Sequence, residues 1–244
     1  MPTDPDRYRQ FATTRWSLVS AAAGGGDTAA ARAALSELCA LYWYPLYAFV
    51  RRQGVDADAA SDVTQGFFAR FIELESIGSA RQERGRFRSY LLGAVKHFIA
   101  NEHQRAIAQK RGGGAKVLSF DPGDAESRYQ REPSHDLTPE HVFERRWALL
   151  LIERTLENLA AEMQARGKSK EFARLRPFLV EEASDDSYRA AGGDLGMSEG
   201  AVKVLIHRLR RRFRDHLRGA IAETVASPED VDDEIQHLFT CLAR

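Results

Sequence analysis

The stretch SYRAAGGDLGMSEGAVKVLIHRLRRRFR, residues 187–214, decides the fold of this chain. Its first part predicts a short helix over 187–195 that ends at Gly196, because glycine readily takes the left-handed backbone that closes a helix. Small residues at 190–193 permit close packing against a second helix, which follows the turn 197–199. Two helices joined by so short a turn are typical of a helix-turn-helix. The apolar positions predicted to form one buried stripe on the second helix are Val202, Leu205, Leu209 and Phe213.

The second helix is strongly cationic. Ser198 is placed to cap it, and seven Lys or Arg residues but only one acid lie between Lys203 and Arg218. Cations of this density bind DNA phosphates and release counterions, whereas residues near the helix start reach base edges. The alternative is a charged helix that is merely solvated. The face predicted to contact DNA comprises Gly200, Ala201, Lys203, Val204, His207, Arg208 and Arg211.

A second cationic stretch, residues 81–111, interleaves basic residues with Phe87, Tyr90 and Phe98. Aromatic rings beside cations suit a single strand of nucleic acid, whose unstacked bases rest on the rings. The alternative is that the rings belong to a core, which the apolar stripe of this helix favours for Phe98.

Helical periodicity without convincing β-alternation predicts an all-α chain of two helical domains. We expect a first domain at 11–111, a flexible acidic linker at 112–137, a helix-turn-helix domain at 138–220 and a helical tail at 221–244. Three prolines and an excess of acids between 119 and 140 indicate the linker, although an ordered surface loop is the alternative.

Composition excludes several classes of protein. Lys plus Arg and Asp plus Glu number 35 each, so net charge favours no particular partner. The two cysteines form no CxxC, and His97 and His103 lack the spacing of a helical metal pair, so we expect no metal, cofactor or disulfide. No GxSxG motif or P-loop indicates an enzyme. The N-terminus lacks an apolar signal core, and no apolar run would span a bilayer, which predicts a cytoplasmic protein.

On these motifs the chain resembles the extracytoplasmic-function (ECF) sigma factors of bacterial RNA polymerase, over about residues 11–220. LGMSEGAVKVLIHRLRRRFR (195–214) is similar to the helix-turn-helix of the family's region four. DVTQGFFARF (62–71) and RGRFRSYLLGAVKHFIANEHQRA (84–106) are similar to regions 2.2 to 2.4. TTRWSLV (13–19) and SPEDVDDEIQHLF (227–239) are similar to segments of one subgroup.

The resemblance implies a non-catalytic subunit that directs core polymerase to promoters. Region four would read the −35 element through the face of the second helix and would meet the β flap. Region two would bind the β′ clamp helices through Asp62, Gln65 and Phe68. It would also melt the −10 element, with a flipped base held by the loop before Phe87. The residues that this melting role involves are Arg84, Arg86, Phe87, Arg88, Tyr90 and Lys96.

One departure from the family concerns polymerase binding. The usual region 2.2 reads close to DAEDLVQEVF, whereas residues 59–68 read AASDVTQGFF and keep only Asp62 of the acids. Phosphorylation adds about −1.5 to −2 charges and would replace the missing ones. We therefore hypothesise that a Ser/Thr kinase modifies Thr64, or Ser61 nearby; the alternative is that Thr64 only forms a hydrogen bond within its helix.

The tail is a second candidate for regulation. Residues 223–234 contain six acids and no Lys or Arg, and the face predicted to be apolar bears Val231, Ile235, Leu238 and Phe239. The acids favour a helix N-terminus by themselves, or the tail docks on the basic recognition helix.

For the whole chain, the alternative function is a free-standing helix-turn-helix regulator that binds a palindrome as a dimer.

Overall fold

The computed structural model describes residues 19, 29–73, 86–108, 125–131, 137–179, 184–222, 224–225 and 227–243. These residues form α-helices and one 3₁₀ turn, Arg176–Leu179, and no β-strand occurs among them, which confirms the predicted all-α class. No helix in this part of the chain is long and apolar enough to cross a membrane. The helices are α1 (Ala29–Arg52), α2 (Ala57–Glu73), α3 (Phe87–Ala108), α4 (Ala125–Gln130), α5 (Pro139–Ala165), α6 (Ser169–Leu175), α7 (Asp185–Leu195), α8 (Glu199–Ala222) and α9 (Asp230–Leu242).

Contacts group the chain into two compact units. The larger unit comprises the described residues of 12–150 and 222–244, and the smaller unit those of 151–221. Helix α5 supplies residues to both units, and the tail belongs to the larger one. The division therefore differs from the predicted limits at 111 and 138, because the first half of α5 packs with the helices before it.

Aromatic and aliphatic side chains build the core of the larger unit. Tyr42 of α1 stacks on Phe143 of α5 at 6.5 Å between ring centroids. On α2, Phe67 and Phe71 lie four residues apart and are buried, and their ring centroids are 5.3 Å apart. Leu91 and Val95 of α3 are also buried. Rings that pack edge to face or offset stabilise a core beyond the area they bury.

Part of the predicted flexible linker is an ordered helix. The carboxylate of Glu126 on α4 accepts hydrogen bonds from the Tyr47 hydroxyl at 2.6 Å and from Nη2 of Arg51 at 2.7 Å. The Arg51 guanidinium holds the pKa of Glu126 below its ordinary value. Glu126 therefore connects α4 to α1. This part of the segment is ordered, as the alternative to a flexible linker predicted. Residues 112–124 and 132–136 lie outside the described residues.

A separate cluster forms the core of the smaller unit. Its buried members come from four helices and the 3₁₀ turn, and Leu159, Ala191 and Val202 have no exposed surface. The remaining buried members are Met163, Phe172, Leu175, Phe178, Ile206 and Leu209. Helices α7 and α8 are thereby held on a scaffold made by α5 and α6.

Candidate nucleic-acid interface

Local backbone chemistry fixes the turn between α7 and α8. Ser184 caps α7, and the left-handed Gly196, with φ of 65°, ends it as predicted. Ser198 caps α8 by accepting a hydrogen bond from the backbone N–H of Ala201 at 3.3 Å. A Cβ at Gly192 would lie 2.7 Å from the backbone oxygen of Met197, so a larger residue would separate the helices. The two helices therefore form the tight turn that a helix-turn-helix needs.

The inner face of α8 anchors it to the core. Val202, Ile206 and Leu209 are buried, whereas Leu205 and Phe213 are only partly buried. The predicted stripe is confirmed at Val202 and Leu209, but it missed Ile206. The contact surface is wider than one helical stripe, since side chains from α5, α6 and α7 all reach it.

All seven side chains predicted to contact DNA lie on the opposite, solvent-facing side of α8. Val204 is 51% exposed, which is unusual for a large apolar side chain on an otherwise cationic face. An exposed valine beside cations suits apolar contact with a thymine methyl group. The positions are Gly200, Ala201, Lys203, Val204, His207, Arg208 and Arg211. No ion pair joins His207, Arg208 or Arg211 to another residue that the structure describes.

Lys203 is the member of this face that already has partners. Its Nζ lies 2.7 Å from Oε1 of Glu199 and 3.1 Å from Oδ1 of Asp185, and 5.0 Å from the centre of the Tyr188 ring. The hydrogen bonds to Glu199 and Asp185 raise the pKa of Lys203. Its ammonium is therefore already engaged by two carboxylates, which a further anionic ligand would have to displace.

Other cations of α8 serve the fold. Arg210 donates to the backbone oxygen of Phe178 at 2.8 Å. Arg212 pairs with Glu162 of α5 at 2.6 Å, and His216 contacts the same carboxylate at 2.8 Å. The cationic run is thus divided between residues that hold α8 in place and residues that remain on the open face.

In the larger unit, the structure corrects two of the residues predicted to contact opened DNA. Phe87 is 3% exposed and packs against Tyr42, with 5.5 Å between ring centroids. Arg88 is also 3% exposed, and its guanidinium lies over the Trp147 ring and pairs with Glu234, which is fully buried on α9. Both side chains are part of the core, because partners far away in the sequence cover them.

The other members of the predicted melting surface differ in accessibility. Arg86 is partly exposed, and its Nε lies 2.8 Å from Oε2 of Glu234. Tyr90 is partly buried beside Phe71, and this burial raises the pKa of its hydroxyl. Lys96 is 48% exposed and pairs with Glu140 at 2.7 Å. Arg84 lies outside the described residues.

The residues of α2 that the family resemblance assigns to polymerase binding separate into surface and core. Asp62 is exposed, Gln65 is partly buried and donates to the Ser61 hydroxyl at 3.2 Å, and Phe68 is buried against Phe67. Thr64 is 0% exposed and donates to the backbone oxygen of Ala60 at 2.7 Å. The expectation that Thr64 lies on a surface is therefore wrong, and its hydroxyl forms the hydrogen bond within the helix that the alternative describes. Ser61 is partly buried.

The tail helix α9 shows the predicted apolar face in part. Val231 and Leu238 are buried and Ile235 is partly buried, but Phe239 is 54% exposed and the acid Glu234 is as fully buried as Leu238. Within the larger unit, α9 contacts the start of α3 through the pairs of Glu234 with Arg86 and Arg88. Acidic side chains are rarely buried without a cationic partner, so the burial of Glu234 was not expected before its partners were known.

One cluster of titratable side chains was not predicted from the sequence. Glu144 of α5 contacts His237 and Cys241 of α9, with 3.5 Å from Sγ to Oε2 and 3.4 Å from Sγ to Nε2. Burial and the Glu144 carboxylate raise the pKa of Cys241 to about 11. The available signal was the spacing of His237 and Cys241, four residues apart on one helical face.

Comparison of the chain with protein-family models, with curated proteins and with solved structures finds no match.

Proposed function

We propose that this protein is a sigma factor of the ECF type, which directs core RNA polymerase to promoters and is not itself an enzyme. The observation that carries the proposal is the open face of α8, on which all seven predicted DNA contacts are exposed while Val202, Ile206 and Leu209 anchor the helix. The motifs that resemble regions two and four support the same conclusion. A protein that binds core polymerase would act in the cytoplasm, so the proposal includes that location.

The start of α8 would read base edges in the major groove. Gly200 and Ala201 carry no bulk that prevents close approach, and Lys203, Val204 and His207 follow within two turns. Arg208 and Arg211 would contact phosphates and set the register of the helix on the duplex. The protein would position the polymerase, whose own active site performs the chemistry.

The test is transcription in vitro with purified core polymerase and a genomic template library. We expect new start sites only when the protein is present. The double variant Arg208→Ala and Arg211→Ala should remove them. Lys170→Ala, which deletes one exposed cation from α6 rather than from the α8 face, is the control and should leave them unchanged.

A second candidate is the free-standing helix-turn-helix regulator, and one observation favours it. Phe87 and Arg88 are buried, which leaves fewer groups to capture an opened strand. Such a regulator would bind duplex DNA tightly and dimerise on it, yet would produce no polymerase-dependent start site. Analytical ultracentrifugation of the protein with the selected duplex distinguishes a 2:1 complex from a 1:1 complex.

We further propose that phosphorylation in α2 activates polymerase binding. Ser61 is more accessible than Thr64, whose hydroxyl must first leave the core. Core binding should therefore increase for Ser61→Glu or for kinase-treated protein, and kinase treatment of Thr64→Ala should still increase it if Ser61 is the site. Equal affinity of all forms for core polymerase would exclude the switch.

A further inference from the structure

We propose that Glu144, His237 and Cys241 form a binding site for a divalent ion of the zinc type. The three residues offer a carboxylate, an imidazole and a thiolate, one ligand atom each, and these atoms all lie within 4.8 Å of one another. The proposal rests on residues outside the α8 face and does not depend on the proposed function.

The spacing of the three atoms fits tetrahedral coordination. Zinc bonds of about 2.3 Å to sulfur and about 2.0 Å to nitrogen or oxygen place tetrahedral ligand atoms about 3.3–3.6 Å apart. The Sγ of Cys241 lies 3.5 Å from Oε2 of Glu144 and 3.4 Å from Nε2 of His237. The contact between Oε2 of Glu144 and Nε2 of His237 is shorter than this distance, so these two atoms must move apart for an ion to enter.

The two carboxylate oxygens of Glu144 face different groups. Oε1 faces Nε of Arg88 at 3.8 Å, and Oε2 faces His237 and Cys241. Arg88 therefore lies on the side of the carboxylate away from the proposed ion, where its positive charge stabilises the ionised form of Glu144. Its own charge is compensated by the buried Glu234.

The donor set selects the class of ion. A thiolate and an imidazole favour zinc and its neighbours in the transition series over magnesium or calcium, which prefer oxygen ligands alone. All three residues are partly buried rather than sealed, so a water molecule has access to the fourth position. Because Glu144 lies on α5 and the other two ligands on α9, the ion would join the tail helix to the rest of the larger unit.

The test uses the untagged full-length chain after treatment with a chelator. Calorimetric titration with zinc should give one tight site, and cobalt in place of zinc should give thiolate charge-transfer absorption. Cys241→Ser should abolish that absorption, and His237→Gln should weaken zinc binding more than about 10-fold, since even groups behind a ligand cost that much. Cys39→Ser, at the buried cysteine of α1, is the matched control and should change neither.

A measurement on the unaltered chain guards against misfolded variants. Zinc should slow alkylation of Cys241 at least about 10-fold, because a coordinated thiolate is no longer free to react, and should leave the rate at Cys39 unchanged. The proposal is overturned if the unaltered chain binds no ion, if Cys241→Ser keeps the charge-transfer absorption, or if zinc does not protect Cys241.

Discussion

Glu234 is a fully buried acid, and its two cationic partners, Arg86 and Arg88, lie at least 146 residues away in sequence. Removing its charge leaves the buried guanidinium of Arg88 with the more distant carboxylate of Glu144, at 3.8 Å, and breaking a buried ion pair typically costs about 3–5 kcal/mol. We therefore expect Glu234→Gln to lower the free energy of unfolding of the larger unit by about that amount, as measured by urea denaturation followed by circular dichroism.

The same helix supplies the control for this substitution. Asp233 is exposed, so Asp233→Asn removes the same charge but should change stability by no more than about 0.5 kcal/mol. Equal losses in the two variants would mean that the net charge of the tail, and not the buried pair, determines its stability.

A pair of neighbouring glycines tests the turn between α7 and α8. At Gly192 a Cβ would meet the backbone oxygen of Met197 at 2.7 Å, whereas at Gly193 it would meet nothing within 4 Å. Gly192→Ala should destabilise the smaller unit by about 1–3 kcal/mol through steric strain. Gly193→Ala should instead stabilise it by up to about 1 kcal/mol, because alanine is the better helix former. Thermal unfolding of both variants shows whether each substitution lowers or raises the stability. A Gly192→Ala protein as stable as the unaltered one would contradict the close approach of the two helices.

At the scale of the element, α8 combines a buried face with an open cationic face. The salt dependence of DNA binding measures the contribution of the open face. Arg211 is exposed, and the proposed complex assigns it to a phosphate. Arg211→Ala should weaken binding to every DNA sequence similarly and should reduce the slope of log K against log salt by about 1. Fluorescence anisotropy over a salt series gives the slope. Lys170→Ala should leave the slope as it is; a slope equally reduced there would attribute the effect to total charge.

The first turn of α7 restrains α8 through Lys203. Asp185→Asn frees the ammonium from one carboxylate, and exposed ion pairs of this kind contribute little, so DNA affinity should rise by no more than about 5-fold. Asp186→Asn removes the same charge from the same turn but releases Arg189 instead. An equal rise in both variants would indicate general repulsion of DNA rather than competition for Lys203.

At the scale of the whole molecule, contacts divide the chain into two units, each with its own buried cluster, although α5 supplies residues to both. Chains with separable units commonly depart from two-state unfolding. We expect two transitions in differential scanning calorimetry, with Gly192→Ala shifting one and Glu234→Gln shifting the other. A single transition that both substitutions lower would show that the chain unfolds as one cooperative body.

Sequence patterns alone determined the helical class, the end of α7 at Gly196, the start of α8 after Ser198, and the exposed face of α8. Each of these depends on residues within a few turns of one another, such as the left-handed Gly196, the Ser198 cap and the apolar repeat at Val202 and Leu209. Local periodicity and capping chemistry are readable along the chain because they involve only sequence neighbours.

Tertiary structure decided which cations and rings are accessible and which reactive groups meet. Arg88 looks like a DNA contact in sequence, and only the arrival of Glu234 from α9 makes it a core residue. The meeting of Glu144 with Cys241 likewise joins residues that are remote along the chain. Burial of a charge depends on a compensating partner, and no local pattern specifies a partner that lies on a distant helix.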